Sequence, residues 1–156
     1  MIGIALGNTV EGKMSSRTLV KEVQSYYRDF LVRDPAELSK IYSDKIVFRD
    51  PLHRIEGLPA LKTYFSGMSR GLTQCRFRFE EASITHDSAC LPWYMHYAHQ
   101  SLKGGRPLRL RGCSLVRFSD KVFYHEDFYD MGAMVYEQVP LLGSLVRKIK
   151  LRLGQG

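Results

Sequence analysis

Between residues 75 and 129 the chain carries four runs of alternating apolar and polar side chains, joined by links too short to cross a sheet. In Cys75–Ile84, Cys75, Phe77 and Phe79 alternate with Arg76, Arg78 and Glu80. Cys90–Leu102 is rich in aromatic residues. Leu108–Phe118 sets Leu108, Leu110, Gly112, Ser114, Val116 and Phe118 against Arg109, Arg111, Cys113 and Arg117, and Val122–Tyr129 sets Phe123, His125, Asp127 and Tyr129 against Tyr124, Glu126 and Phe128. A period of two is that of a strand with two unlike faces. The links, His86-Asp87-Ser88, Lys103-Gly104-Gly105 and Ser119-Asp120, are turn sequences. Strands joined so closely must run antiparallel. A four-stranded meander is expected.

Ahead of it the period is helical. Ser15-Ser16 can cap a helix whose apolar positions are Leu19, Val20, Val23, Tyr26, Tyr27, Phe30 and Leu31. Asp34-Pro35 restarts a short helix with Leu38, Ile41 and Tyr42 inward, closed by Ser43-Asp44. Lys45–Asp50 then alternates, so that Ile46, Phe48 and Asp50 share one face. A carboxylate thus lies on the apolar face at the end of a strand, and Pro51 stops the ladder. Gly57-Leu58-Pro59 opens a third helix with Leu61, Tyr64, Phe65 and Met68 inward, ended by Gly71. Helices with one inserted strand, followed by a meander, read as α+β: a curved antiparallel sheet wrapped around N-terminal helices.

At 156 residues this is one domain, with 44% apolar and 25% charged residues as in ordinary globular proteins. No apolar run is long enough to span a bilayer. The start, Met1-Ile-Gly-Ile-Ala-Leu-Gly, has no basic residue ahead of it and no small-residue cleavage pattern, so a cytoplasmic protein is expected. Residues 1–14 read as an arm ahead of a domain spanning 15–132. Cys75, Cys90 and Cys113 are widely spaced and read as buried reduced thiols. No His, Cys or carboxylate spacing signals a metal, and Lys103-Gly104-Gly105-Arg106 is a hairpin turn rather than a phosphate loop. Neither a metal nor a cofactor is called for.

Net charge is +7, and after the last acid, Glu137, come Arg147, Lys148, Lys150 and Arg152. The imbalance is gathered in the tail, which argues against a nucleic-acid groove across the domain. Residues 133–156 read as a basic amphipathic helix, with Leu141, Leu142, Leu145, Val146, Ile149 and Leu153 on one arc, Arg147, Lys148 and Lys150 on the other, Leu151 and Arg152 breaking the pattern, and Gly154 as its cap. Such a helix can pack on its own domain or on a twin subunit, lie on an anionic membrane, or dock on another protein.

The element order, with "FRDP…G" after the first strand, resembles the nuclear-transport-factor-2-like superfamily, which includes the ketosteroid isomerases and the SnoaL-like polyketide cyclases. The resemblance covers about residues 18–130. It implies a cone-shaped barrel, and relatives that form dimers imply a homodimer through the open sheet face. The segment "VQSYYRDFLVRDPAELSKIYSDKIVFRDP" is similar, without gaps, to the isomerase stretch from oxyanion-binding Tyr to general-base Asp. That match gives Tyr26 the Tyr position and Asp50 the Asp position. The isomerases' second oxyanion donor, a protonated Asp, falls at Ser114, a weaker and differently placed donor, which weighs against steroid isomerisation. His125, Asp127 and Tyr129 fall on the cavity face, and the resemblance implies that His125 and Asp127 could form an acid–base pair of the kind some SnoaL-like cyclases use.

Two functions follow. In the first, the protein is a cofactor-free isomerase, cyclase or hydrolase for an apolar carbonyl-containing small molecule. Asp50 takes a proton, Tyr26 steadies the enolate, His125 and Asp127 shuttle the proton, and Phe48, Tyr64, Phe65, Ser114, Val116 and Tyr129 line the ligand site. In the second, the cone is a non-catalytic binding module and the tail makes protein or membrane contacts. Asp50 decides between them. A base needs a raised pKa in the cavity, whereas a turn-capping Asp accepts backbone N–H bonds and titrates low.

Overall fold

A computed structural model of the protein describes residues 14–154. The expected arm therefore lies outside the described residues except for Met14, which packs against the core. Helix α1 (Ser16–Arg28) starts where expected, with the Ser15 hydroxyl accepting from the Thr18 amide at 3.2 Å. Its inner face buries Leu19, Val20, Val23, Tyr26 and Tyr27. Asp34 and Glu37 form a capping box around a 3-10 turn opened by Pro35, which runs into the short helix α2 (Leu38–Ile41).

Strand β1 (Tyr42–Arg49) begins earlier than its alternation predicts, because Tyr42 is wholly buried and pairs with Val122. It is followed by β2 (Arg54–Glu56), a hairpin partner too short to leave a periodic signal, and by α3 (Leu58–Met68). The first meander run is split: β3 (Leu72–Phe79) pairs with β5 (Ser88–His99), and the two-residue β4 (Ser83–Ile84) pairs with β5 separately. Then come β6 (Leu108–Phe118) and β7 (Val122–Tyr129).

The sheet order is β2-β1-β7-β6-β5-β3. The sheet is not purely antiparallel, as expected, because β1 runs parallel to β7. A whole meander separates these two strands in the chain, so no tight turn dictates their sense. The result is a curved open sheet with α1 and α3 packed against it. Phe65 of α3 sits at the centre of the packed layer, with its ring against Tyr26, Tyr27, Phe30 and Phe48. Truncating a ring so placed costs about 3–5 kcal/mol.

The tail is two pieces rather than one helix. Short α4 (Met131–Met134) is capped by Asp130, and α5 (Leu142–Leu153) follows a break at Val139-Pro140-Leu141. Pro140 cannot donate the amide bond that a continuous helix would need. Gly154 does close α5, in a right-handed conformation. Among the described residues no helix is long and apolar enough to cross a membrane.

Candidate functional site

Strand β7 turns His125, Asp127 and Tyr129 toward the helices. Register across β6 sets Val116, Ser114 and Gly112 opposite them, and β5 adds Ala89, Leu91 and Trp93 beyond. On the other side Phe48 of β1 pairs with His125. These rows floor a cavity of about 60 Å³. Its walls are mainly aromatic: Tyr27, Phe30 and Phe65 from the helical layer, Phe77 and Trp93 from the sheet. Two carboxylates, Asp50 and Asp127, interrupt the apolar lining. Met68, Leu72 and Met134 also line a shallower apolar groove of about 270 Å³.

Asp127 is the end point of two chains of donors. The Tyr42 hydroxyl lies 2.7 Å from His125 Nδ1, and His125 Nε2 lies 2.9 Å from Asp127 Oδ1. With the imidazole proton on Nε2, Tyr42 donates to Nδ1, and Tyr27 in turn donates to Tyr42 at 3.1 Å. From the other side the Trp93 indole N–H donates to Ser114 Oγ at 2.9 Å, and the Ser114 hydroxyl donates to the same Oδ1. Buried polar groups linked in this way polarise one another. Oδ2 takes no hydrogen bond from the described residues. Burial pushes the Tyr27 and Tyr42 hydroxyls well above the ordinary phenol range, so both stay protonated donors.

Trp93 depends on Gly112. A Cβ at position 112 would lie 2.2 Å from the indole ring, so only glycine lets the ring lie across β6 and reach Ser114.

Residues 23–125 match the SnoaL-like domain family. The chain belongs to that family. A comparison with curated proteins gives no match. Solved structures agree on the fold. A protein with a ketosteroid-isomerase-like fold from Catenulispora acidiphila, in complex with trimethylamine, superposes with a TM-score of 0.66 at 12% identity, over 76% of this chain and 91% of its own. A protein from Jannaschia provisionally assigned as a SnoaL-like polyketide cyclase gives 0.66 at 13%, over 79% and 92%. A nuclear-transport-factor-2-like protein from Burkholderia pseudomallei gives 0.67 at 15%, over 78% and 96%. At such identities the likeness is one of fold.

Within this SnoaL-like domain the expected site residues separate into groups. Phe48, Asp50, Tyr64, Phe65, Asp127 and Tyr129 line the cavity. His125, Ser114 and Val116 lie in the layer behind it, all three buried. Tyr26 does not reach the cavity, where Tyr27 stands instead. Its ring stacks on Phe65, and it lines a separate surface groove with Ser25, Arg33 and Glu37. Burial, and then the charges of Glu37 and Asp34, push its hydroxyl up to about 12. A helical period admits both tyrosines to the inner face, and the ungapped match gave the position to Tyr26, the one outside the cavity.

Asp50 faces the cavity but is committed elsewhere. Burial pushes its carboxyl up. The Tyr64 hydroxyl, the Leu52 amide at 2.8 Å, and the side chain and amide of His53 outweigh that and hold it below the usual carboxylate range. These are the features of a turn-capping carboxylate, and they weigh against the base role that the resemblance implies. Tyr42 and Trp93, which complete the two chains to Asp127, escaped sequence reading. Their polar tips needed partners, but nothing in the spacing said which. The thiols also differ from expectation. Cys75 is buried, whereas Cys90 is exposed and Cys113 half-buried, with their sulfurs 3.0 Å apart across β5 and β6.

Proposed function

We propose that this SnoaL-like protein is a cofactor-free acid–base isomerase or cyclase for a small apolar molecule bearing a carbonyl group. The observation that carries the reading is Asp127: Oδ1 is held by two donors, and Oδ2 is left without one in the wall of an aromatic cavity. In the reaction, Asp127 takes a proton from the carbon next to the carbonyl and returns it to a different carbon. His125 and Ser114 fix the carboxylate's orientation. The Tyr129 hydroxyl, which makes no hydrogen bond with the described residues, donates to the enolate oxygen. Asp50, tied to Tyr64, shapes the cavity wall. The small volume admits the reacting end of a ligand, and movement of Met68 or Met134, both adaptable side chains, joins the cavity to the outer groove.

The test is carbon–hydrogen exchange. A panel of small cyclic and acyclic ketones is incubated with the protein in heavy water and followed by proton NMR. The expected result is exchange next to the carbonyl, slowed at least about 100-fold in Asp127→Asn. No exchange across the panel, or equal exchange in parent and variant, rejects the enzyme.

A second reading rests on the lining itself. Aromatic faces with two carboxylates suit a small organic cation held without chemistry, and a neighbour of the same fold was solved with trimethylamine. Calorimetric titration with trimethylammonium separates the readings: tight binding that is lost in Asp127→Asn, without exchange activity, supports the binding module. Pairing of two copies through the outer sheet face, where Phe128 is half-exposed, is part of either proposal and is read from sedimentation.

A further inference from the structure

Helix α5 is attached to the domain by the wrong side for an amphipathic helix. Three residues spaced by four and three along it make the contact. Gly143 is buried against the Glu137 carbonyl, from which a Cβ would stand only 2.3 Å away. Arg147 Nη1 donates to that same carbonyl at 2.9 Å. Lys150 reaches both Asp130 and Glu137, the latter at 2.6 Å. The docked edge is thus glycine and polar groups, with Val146 half-buried beside them.

The apolar arc is left outside. Leu145 is 56% exposed, Ile149 50% and Leu153 78%, with Leu142 above them on the same arc. Leu141, just before the helix, is 88% exposed and held at φ +68°, a left-handed conformation disfavoured for leucine. Helical geometry puts Lys148 and Arg152 along the free border of this arc, and neither forms an ion pair with the described residues. On the docked edge Lys150 is neutralised by Asp130 and Glu137, and Arg147 is held by the Glu137 backbone carbonyl.

We propose that α5 is an interfacial anchor that seats this apolar arc in the surface of an anionic lipid bilayer. The charge favours that occupant. A second copy would bring its own Lys148 and Arg152 against these, on a protein of net charge +7 with no acid after Glu137. An anionic headgroup layer meets the free cations while the leucines and Ile149 enter the acyl boundary. At twelve residues the helix lies in the interface rather than crossing it.

The experiment is vesicle co-sedimentation of the full chain, with phosphatidylcholine alone and with phosphatidylcholine carrying about one-third phosphatidylglycerol. Two double variants accompany it, L145E/I149E and K148E/R152E, all at exposed positions, with thermal unfolding to verify the fold. The parent is expected to bind anionic vesicles at least about tenfold more tightly than neutral ones, and each double variant to lose at least about tenfold on the anionic vesicles. Failure of the parent to sediment with anionic vesicles overturns the proposal and leaves the arc to a protein partner. So does binding that survives both double variants. A vesicle-free dimer that L145E/I149E dissociates overturns it as well, by showing a second copy on the arc.

Discussion

His125 and Asp127 stand two residues apart on one face of β7, with Nε2 2.9 Å from Oδ1, and the imidazole is wholly buried behind the carboxylate. The histidine has no access to a ligand, so its effect on the cavity passes through Asp127. Replacing it with leucine keeps the volume but leaves one hydroxyl proton of the Tyr27–Tyr42 pair without an acceptor and removes one of the two donors on Oδ1. The expected cost of His125→Leu is about 1–3 kcal/mol, the penalty of an unsatisfied buried donor. Urea unfolding measures it. A change within about 0.5 kcal/mol would mean that the chain from Tyr27 to Asp127 contributes nothing to the fold.

Asp50 gives the fold an acid-sensitive latch. A carboxyl held below its unfolded value of about 3.9 contributes stability that is present above that pH and is lost as pH falls through the folded value. Tyr64 supplies the leading hydrogen bond of the set that holds it down. At pH 7, Tyr64→Phe should cost about 1.5–3 kcal/mol, as for a bond to a charged group. At an acid pH below the folded value the gap between parent and variant should narrow, because both then carry a neutral Asp50. Unfolding curves at the two pH values decide the matter, and a gap that stays constant would mean that the hydroxyl acts by packing alone.

How much of this was open to reading beforehand depended on the kind of signal. The β5–β7 meander and α1 follow from period and turn chemistry, which are local, and α3 was bracketed by Gly57-Leu58-Pro59 and Gly71. The parallel β1–β7 pairing and the hairpin strand β2 left no local mark. At the site, alternation on β7 put His125, Asp127 and Tyr129 on one face, as found. The choice between Tyr26 and Tyr27 lay beyond it, because adjacent helical residues differ by only 100° and both fit a broad apolar face. The role of Asp50 could be posed from Asp-Pro but not answered, since the deciding bonds come from Tyr64 and His53.

Gly112 offers a test of the second chain. A methyl there would sit 2.2 Å from the Trp93 ring. Gly112→Ala should therefore displace the indole, break its bond to Ser114 and cost about 1–3 kcal/mol through overpacking. Trp93 is the only tryptophan, so its fluorescence reports the site directly. A shifted emission maximum with lowered stability is expected. An unchanged spectrum would mean that the ring does not lie over β6.

The two neighbouring tyrosines of α1 make the sharpest comparison, because the substitutions are identical and the expected outcomes opposite. Tyr27 sits in the cavity wall and starts the donor chain through Tyr42, while the Tyr26 ring is buried against Phe65 outside the cavity. Tyr27→Phe removes a buried donor and should lower stability by about 1 kcal/mol. It should also slow any exchange activity that depends on Asp127. Tyr26→Phe keeps the stacked ring and removes a hydroxyl that makes no hydrogen bond with the described residues. Its stability should stay within about 0.5 kcal/mol of the parent, with activity unchanged. Paired urea unfolding and NMR exchange assays read both. Were Tyr26→Phe to abolish activity while Tyr27→Phe left it intact, the oxyanion role would return to Tyr26 and the cavity drawn here around Tyr27 would be the wrong one.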